Sequence, residues 1–440
     1  MDDLSHARAA PPPSQRQILY SSEGRSSLPA QLGAAHYSYR FAEEKFIHLL
    51  TAMGYAPEPV DLPPYYGPHS RTATARTAGG QPLHLIFRSA ENIRPIAGCY
   101  NIACFAWEFD VLKTDTLPFE HPFANQKRML DACQEVWAPS AYTAEILKAN
   151  GIMNTYRVPA PWDPPPRLIT DAQKPASLAA LRGVAAVQLK ISNLVRFNPR
   201  SMVTSLTGSP AIAEAMAARK LFVTVLNPHD KRKNLQELLL GFVSALQYHP
   251  EAALLVKLVL PPRPRAHEVL LSDIVPRFER PISLQCDRIL FIGEYLSGEQ
   301  LSALYEIANF YLCASVAEGQ NLPLIEAMGH GAVPVSTLNT AMLDYLCDEN
   351  CIGVRTRKFA AFERRTGADV ARRPYAVEFC SQTDIGRAVL RACALSRAEI
   401  ESLRQGALES VLDGFSTRAV GALVRQRIDA IEAASIRAAS

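Results

Sequence analysis

Two glutamates with seven residues between them, Glu318 and Glu326, bracket the short stretch "GQNLP". The strand-like run "NFYLCAS" comes just before. Asn321 stands where a helix beginning at Leu322 would take its cap, and Pro323 falls in the first turn, where a missing N–H does no harm. Free N–H groups at a helix start form an anion site, and Gly319 lets a ligand come close to the backbone. The backbone from Gly319 through Gln320 and Asn321 to Leu322 thus reads as a phosphate cradle with a carboxylate on either side. Such a set suits a diphosphate flanked by two polyols, as in a nucleotide-sugar, with one carboxylate for sugar hydroxyls and one for a ribose diol. Spacing alone fits equally well a glutamate that complements the helix dipole and a loop acid in water.

A second cluster, Asp230, Lys231, Arg232, Lys233 and Asn234, lies between the strand-like "KLFVTVLN" and the helical "NLQELLLGF". Cations there would neutralise a departing diphosphate; a solvated charge cluster is the alternative. Gly293 follows the strand "DRILFI", and its loop would wall a nucleotide base. In the first half, Trp107 and Glu108 end the run "YNIACFAWEF", and Arg88 ends "HLIFR". These three are candidates for the second substrate, or packing residues, since Trp is commonly buried. His330, in "GHG", reads as part of a turn. The chain has no Asp-x-Asp motif, so a metal bridging phosphates is not suggested, and no cofactor is called for.

These residues need a scaffold that brings strand ends together. Apolar Phe41, Phe46, Ile47, Leu49 and Leu50 predict a helix over 37–53, and "RQILY", 84–88 and 100–109 read as strands. Residues 125–158 parse as helix, strand, helix from a Ser140 cap to a Gly151 stop, and strand, which means βαβ units. Five prolines between 159 and 166 mark a stiff boundary. After it the same alternation resumes at 220. The expected fold class is α/β, with two Rossmann-like parallel α/β domains facing each other across a cleft. The expected division is a disordered tail over 1–15, a first domain over 16–165, a linker and structurally open segment over 166–219, a second domain over 220–395, and helices over 396–440. Ligands of such sheets bind at the carboxyl ends of the strands.

Length and composition agree with this division. A chain of 440 residues needs more than one core, and 48% hydrophobic with 20% charged residues is ordinary for a globular protein. A net charge of +3 gives no global reason to bind nucleic acid. Nine scattered cysteines suggest reduced, cytoplasmic thiols. No apolar run is long enough to span a bilayer; "AALLVKLVL" is short and interrupted by Lys257.

The segments "RKN", "FIGEYLSGEQLSALYEIANFYLCAS" and "EGQNLPLIEAMGHGAVPVS", in that order, resemble the donor domain of the large retaining GT-B glycosyltransferase family (family 4 type, glycosyl transferases group 1). "AWEFD" and "CQEVWAPSAYTAEILKANGI" resemble the end of its acceptor domain. The resemblance covers roughly 100–165 and 220–355. It implies sugar transfer from a nucleotide-diphosphate sugar with retention and without a metal, in polysaccharide or glycoconjugate assembly. It assigns Glu318 to the donor sugar, the Gly319–Leu322 backbone to the phosphates, Glu326 to the ribose and Lys233 to the diphosphate. The family's Arg five residues before that Lys is replaced by Pro228, so Arg232 would substitute, and its aromatic-Gly pair is replaced by Gln320-Asn321. The partners expected are a nucleotide-sugar donor and a saccharide or glycolipid acceptor, with no nucleic acid and at most peripheral contact at the inner face of a membrane. A dinucleotide oxidoreductase would need Gly-x-Gly-x-x-Gly after its first strand, and none is there. An inactive nucleotide-sugar-binding scaffold and a GT-B epimerase or phosphorylase are the remaining alternatives.

Overall fold

The computed structural model describes residues 16–22, 37–60, 81–114, 122–190, 203–260, 285–362 and 374–439. The tail over 1–15 lies outside them. One sheet has six strands, β1 (Ile18–Ser22), β2 (Glu58–Pro59), β3 (Leu83–Phe87), β4 (Tyr100–Cys104), β5 (Glu135–Ala138) and β6 (Thr155–Arg157), in the order β2-β1-β3-β4-β5-β6. Every pairing in it is parallel. Parallel sheets are covered on both faces, which is why Leu83–Phe87 is buried throughout. Helix α1 (Tyr37–Ala52) packs Phe46, Leu49 and Leu50 on one face. Helices α2 (Gln126–Leu130) and α3 (Ala141–Ala149) cover the other. Ser140 caps α3 by accepting the Thr143 N–H at 3.2 Å, and Gly151 (φ +84°) follows its end.

The second sheet has eight strands in the order β14-β13-β12-β9-β10-β11-β7-β8. Its parallel part is β9 (Leu221–Leu226), β10 (Ala253–Leu258), β11 (Gln285–Ile292), β12 (Phe310–Cys313), β13 (Val333–Thr337) and β14 (Ile352–Val354). The stretch over 166–219, left open by the sequence, contributes α4 (Lys174–Ala180), the strands β7 (Ala185–Lys190) and β8 (Val203–Ser205), and α5 (Pro210–Ala217). Those two strands pair antiparallel at one edge. One face packs on α6 (Leu235–Leu246) and α9 (Gln382–Ala394), the other on α7 (Gly298–Ile307), α8 (Leu322–Gly329) and α10 (Arg397–Phe415). Strands β15 (Arg357–Phe362) and β16 (Pro374–Phe379) pair antiparallel in a two-stranded sheet of their own.

The last helix, α11 (Thr417–Ala439), returns to the first sheet. Its Val420, Val424 and Ile428 are buried with Ile18, Phe46 and Leu49, and Arg427 pairs with Glu135 at 2.5 Å. The two crossings between domains are tied together, because the Trp162 N–H donates to the Phe415 carbonyl and the Thr417 N–H to Asp163, each at 2.8 Å. Among the described residues no helix is long and apolar enough to cross a membrane.

Candidate active site

The carboxyl edges of the two sheets face each other across a cavity of about 770 Å³. The second domain lines it with the loops after β9, β11 and β12, with the end of β10, and with the start of α8. The first domain contributes α1 and the ends of β4, β5 and β6.

Two of these loops are built alike. After β9, Asp230 caps a single 3-10 turn, accepting the Arg232 N–H at 3.0 Å. Asn234 then takes a left-handed conformation (φ 52°) immediately before α6. After β12, Asn321 is left-handed (φ 64°) immediately before α8. A left-handed residue is unfavourable for any side chain but least so for Asn, so each loop makes its sharp entry to a helix at an affordable residue. Asn321 occupies the cap position but makes no side-chain cap, contrary to the expectation from sequence. Its amide lies inward, donating towards the sulfurs of Cys313 and Met342.

The charges of the two loops meet. Lys233 Nζ lies 2.5 Å from Glu318 Oε1, in a pair whose side chains are 17% and 6% exposed. Arg232 reaches Asp230 at 2.7 Å and crosses the cleft to Glu108 at 2.5 Å. Burial raises the Glu108 carboxyl above the usual carboxylate range, with the Arg232 guanidinium opposing. Burial is the largest single influence on the Lys233 ammonium and acts to lower its pKa, but the Glu318 and Asp230 carboxylates together raise it above the ordinary value. Three carboxylates thus hold two cations at the mouth of α8. A diphosphate arriving there would compete with them for Arg232 and Lys233.

Glu318 is fixed by its own backbone, whose N–H donates to Thr340 Oγ1 at 2.9 Å. Gly319 abuts the first domain: a Cβ there would sit 3.4 Å from that of Ala106. Gln320 holds the boundary with both ends of its amide, accepting the Ala160 N–H at 3.0 Å and donating to the Ala160 carbonyl at 2.9 Å. Its side chain is therefore committed to the domain boundary. Glu326, one turn into α8, is buried and receives the Tyr305 hydroxyl at 3.3 Å. Burial pushes its carboxyl up to about 7, with the Lys45 ammonium of α1 pulling the other way.

Glu318, Gly319, Gln320, Asn321, Leu322, Glu326, Arg232, Lys233 and Glu108 all line the one cavity. Gly293 does not; Tyr295, Leu296 and Gly298 of the same loop do. Trp107 packs instead, stacking on Phe105 and meeting Phe109 edge-on, with its indole N–H on the Val111 carbonyl at 2.9 Å. Arg88 is 4% exposed and lies away from the cavity lining. His330 is buried between the rings of Tyr305 and Trp162. Among the described residues no group of three or more His, Cys, Asp or Glu side chains is placed to hold a metal. Sequence reasoning missed Lys257, Tyr305 and Lys45. For Lys257 a signal existed: it is a lone cation at the carboxyl end of an otherwise apolar strand.

Neither a protein-family model nor a curated protein sequence matches the chain. Solved structures do. Sucrose-phosphate synthase from Thermosynechococcus elongatus is 15% identical with a TM-score of 0.54, over 95% of this chain and 100% of that one. Trehalose 6-phosphate synthase from Burkholderia multivorans is 12% identical with a TM-score of 0.53, over 96% and 99%. The pneumococcal O-GlcNAc transferase GtfA, in complex with UDP and GlcNAc, is 14% identical with a TM-score of 0.48, over 80% of this chain. This chain spans 57% of the length of GtfA and 53% of that of S. aureus TarM. The neighbours are GT-B glycosyltransferases, and the chain has their fold: two Rossmann-like α/β domains facing each other across a cleft.

Proposed function

We propose that the protein transfers a sugar, with retention and without a metal, from a nucleotide-diphosphate sugar to a hydroxyl of a saccharide or glycolipid. The observation that carries this reading is the Lys233–Glu318 pair beside the start of α8, inside a cavity shared by both domains. The second domain would hold the donor, with the diphosphate at the 319–322 backbone and Lys233, sugar hydroxyls on Glu318 and the ribose diol on Glu326. The first domain would present the acceptor near Glu108. As the bond from the anomeric carbon to the diphosphate oxygen breaks, the acceptor oxygen bonds to that carbon on the same face. The acceptor's proton passes to the departing phosphate. Lys233, Arg232 and the helix start stabilise the charge that develops there, which is the task a metal performs in other transferases. Polysaccharide or glycoconjugate assembly is the setting this chemistry suits.

Calorimetry of the protein with UDP, GDP and ADP, alone and as sugar conjugates, tests the reading. Binding of one nucleotide, weakened at least tenfold by Lys233→Ala and by Glu326→Ala, is expected. Failure of all to bind, or binding unchanged in both variants, would refute it.

A further inference from the structure

One charge in the cavity has no task in that reading. Lys257 is the last residue but one of β10, in register with Val225 of β9 and Ile292 of β11, and it is 6% exposed. Strand alternation places it on the face that carries Leu255 and packs on α7 and α8. Its ammonium donates to the Leu258 carbonyl at 2.6 Å. Burial lowers its pKa to about 8, against the attraction of Glu294. An ammonium has three donors and no acceptor, so one bond to a carbonyl leaves it further donors for a ligand.

Strand order supplies the direction along the ligand. From β12, which leads to Glu318, the sheet runs to β9, which leads to Arg232 and Lys233, then to β10 with Lys257, then to β11, which leads to Tyr295 and Leu296. Adjacent strands are about 4.8 Å apart, so Lys257 lies on the order of 10 Å beyond the Glu318 strand. A ligand with its sugar at Glu318 and its diphosphate at Lys233 carries its base towards Lys257, Tyr295 and Leu296, all of which line the cavity.

We propose that Lys257 selects the base of the donor. Its ammonium donates to the carbonyl at C4 of a pyrimidine or C6 of a purine, so the nucleotide carries a keto base such as uracil, thymine or guanine. Adenine and cytosine present an exocyclic amine, itself a donor, at the corresponding edge. A donor facing a buried donor is left without a partner, and such mismatches discriminate strongly. This inference rests on the nucleotide-sugar reading above.

The test is calorimetry with UDP, GDP, ADP and CDP on the parent, Lys257→Met and Lys257→Arg. The parent is expected to bind UDP or GDP at least tenfold more tightly than ADP and CDP. Lys257→Met should weaken the favoured nucleotide tenfold or more while changing ADP and CDP less than threefold, and Lys257→Arg should keep the ranking. If Lys257→Met does not fold, the parent is titrated at pH 7 and pH 9.5, where loss of the ammonium proton should shrink the preference. A parent that favours ADP or CDP, or a preference unchanged by Lys257→Met or by pH, overturns the inference and leaves the donor site standing. Failure of a folded parent to bind any of the four overturns both.

Discussion

Replacing Glu326 by Gln removes a buried negative charge while keeping shape and an acceptor for the Tyr305 hydroxyl. Burial raises this carboxyl from the ordinary 4.5 to about 7. The folded chain therefore holds the proton more tightly than the unfolded chain does. The resulting stabilisation is complete below about pH 4.5, shrinks as pH rises, and is gone above about pH 7. At about 1.36 kcal/mol per pH unit the window is worth roughly 3 kcal/mol. For a domain of this size that corresponds to about 6 to 12 °C in melting temperature. Glu326→Gln has no such proton to lose, so the parent's melting temperature, relative to the variant's, should fall by that amount between pH 4.5 and pH 8. Taking the difference cancels the titration of groups common to both. If Glu326 holds the ribose as proposed, ligand binding should run the other way, because a carboxylate can accept from both ribose hydroxyls: parent affinity for a nucleoside diphosphate should rise as pH passes 7, and the variant's should not follow. A parent-minus-variant melting difference that is flat across this range would refute the assignment of a carboxyl whose pKa burial raises, and an unchanged nucleotide affinity would refute its role.

Three further outcomes follow from the same contacts. Lys233→Met leaves the Glu318 carboxylate buried without its partner, and breaking such a pair costs about 3–5 kcal/mol; chemical denaturation of parent and variant reads it. Gly329→Ala would drive a Cβ to 2.0 Å from Cζ3 of Trp162 at the domain crossing, so a loss of about 1–3 kcal/mol or more is expected, relieved in part by Trp162→Leu. Transfer activity should survive EDTA, assayed by release of nucleoside diphosphate, if Arg232, Lys233 and the start of α8 supply the positive charge as proposed.

What the sequence discloses depends on how local the physics is. The limits of α3 are legible because its Ser140 cap and Gly151 stop act within a few residues. The strand read over 100–109 ends at Cys104 instead. The aromatic residues after it serve a loop folded around Trp107, whose ring lies against Phe105 and Phe109. The 166–219 stretch offers little pattern, because β7 pairs antiparallel with both β11 and β8 in a sheet that is otherwise parallel. At the site, Glu318 and Lys233 stand out because each follows a strand. Their pairing joins positions 85 residues apart, which spacing does not reveal. Gln320 is harder still: the sequence places it beside a sugar pocket, while its amide in fact grips the backbone of Ala160 across the domain boundary.

The most direct test of the account is proton NMR of the protein with UDP-, GDP- and ADP-sugars, followed from the first minutes. One conjugate should be converted to nucleoside diphosphate, the anomer released or transferred first should have the donor's configuration, and Lys233→Ala should abolish the conversion. An inverted anomer would contradict retention. Intact conjugates throughout, with the protein folded and nucleotide bound, would contradict transfer and leave a sugar-nucleotide-binding scaffold.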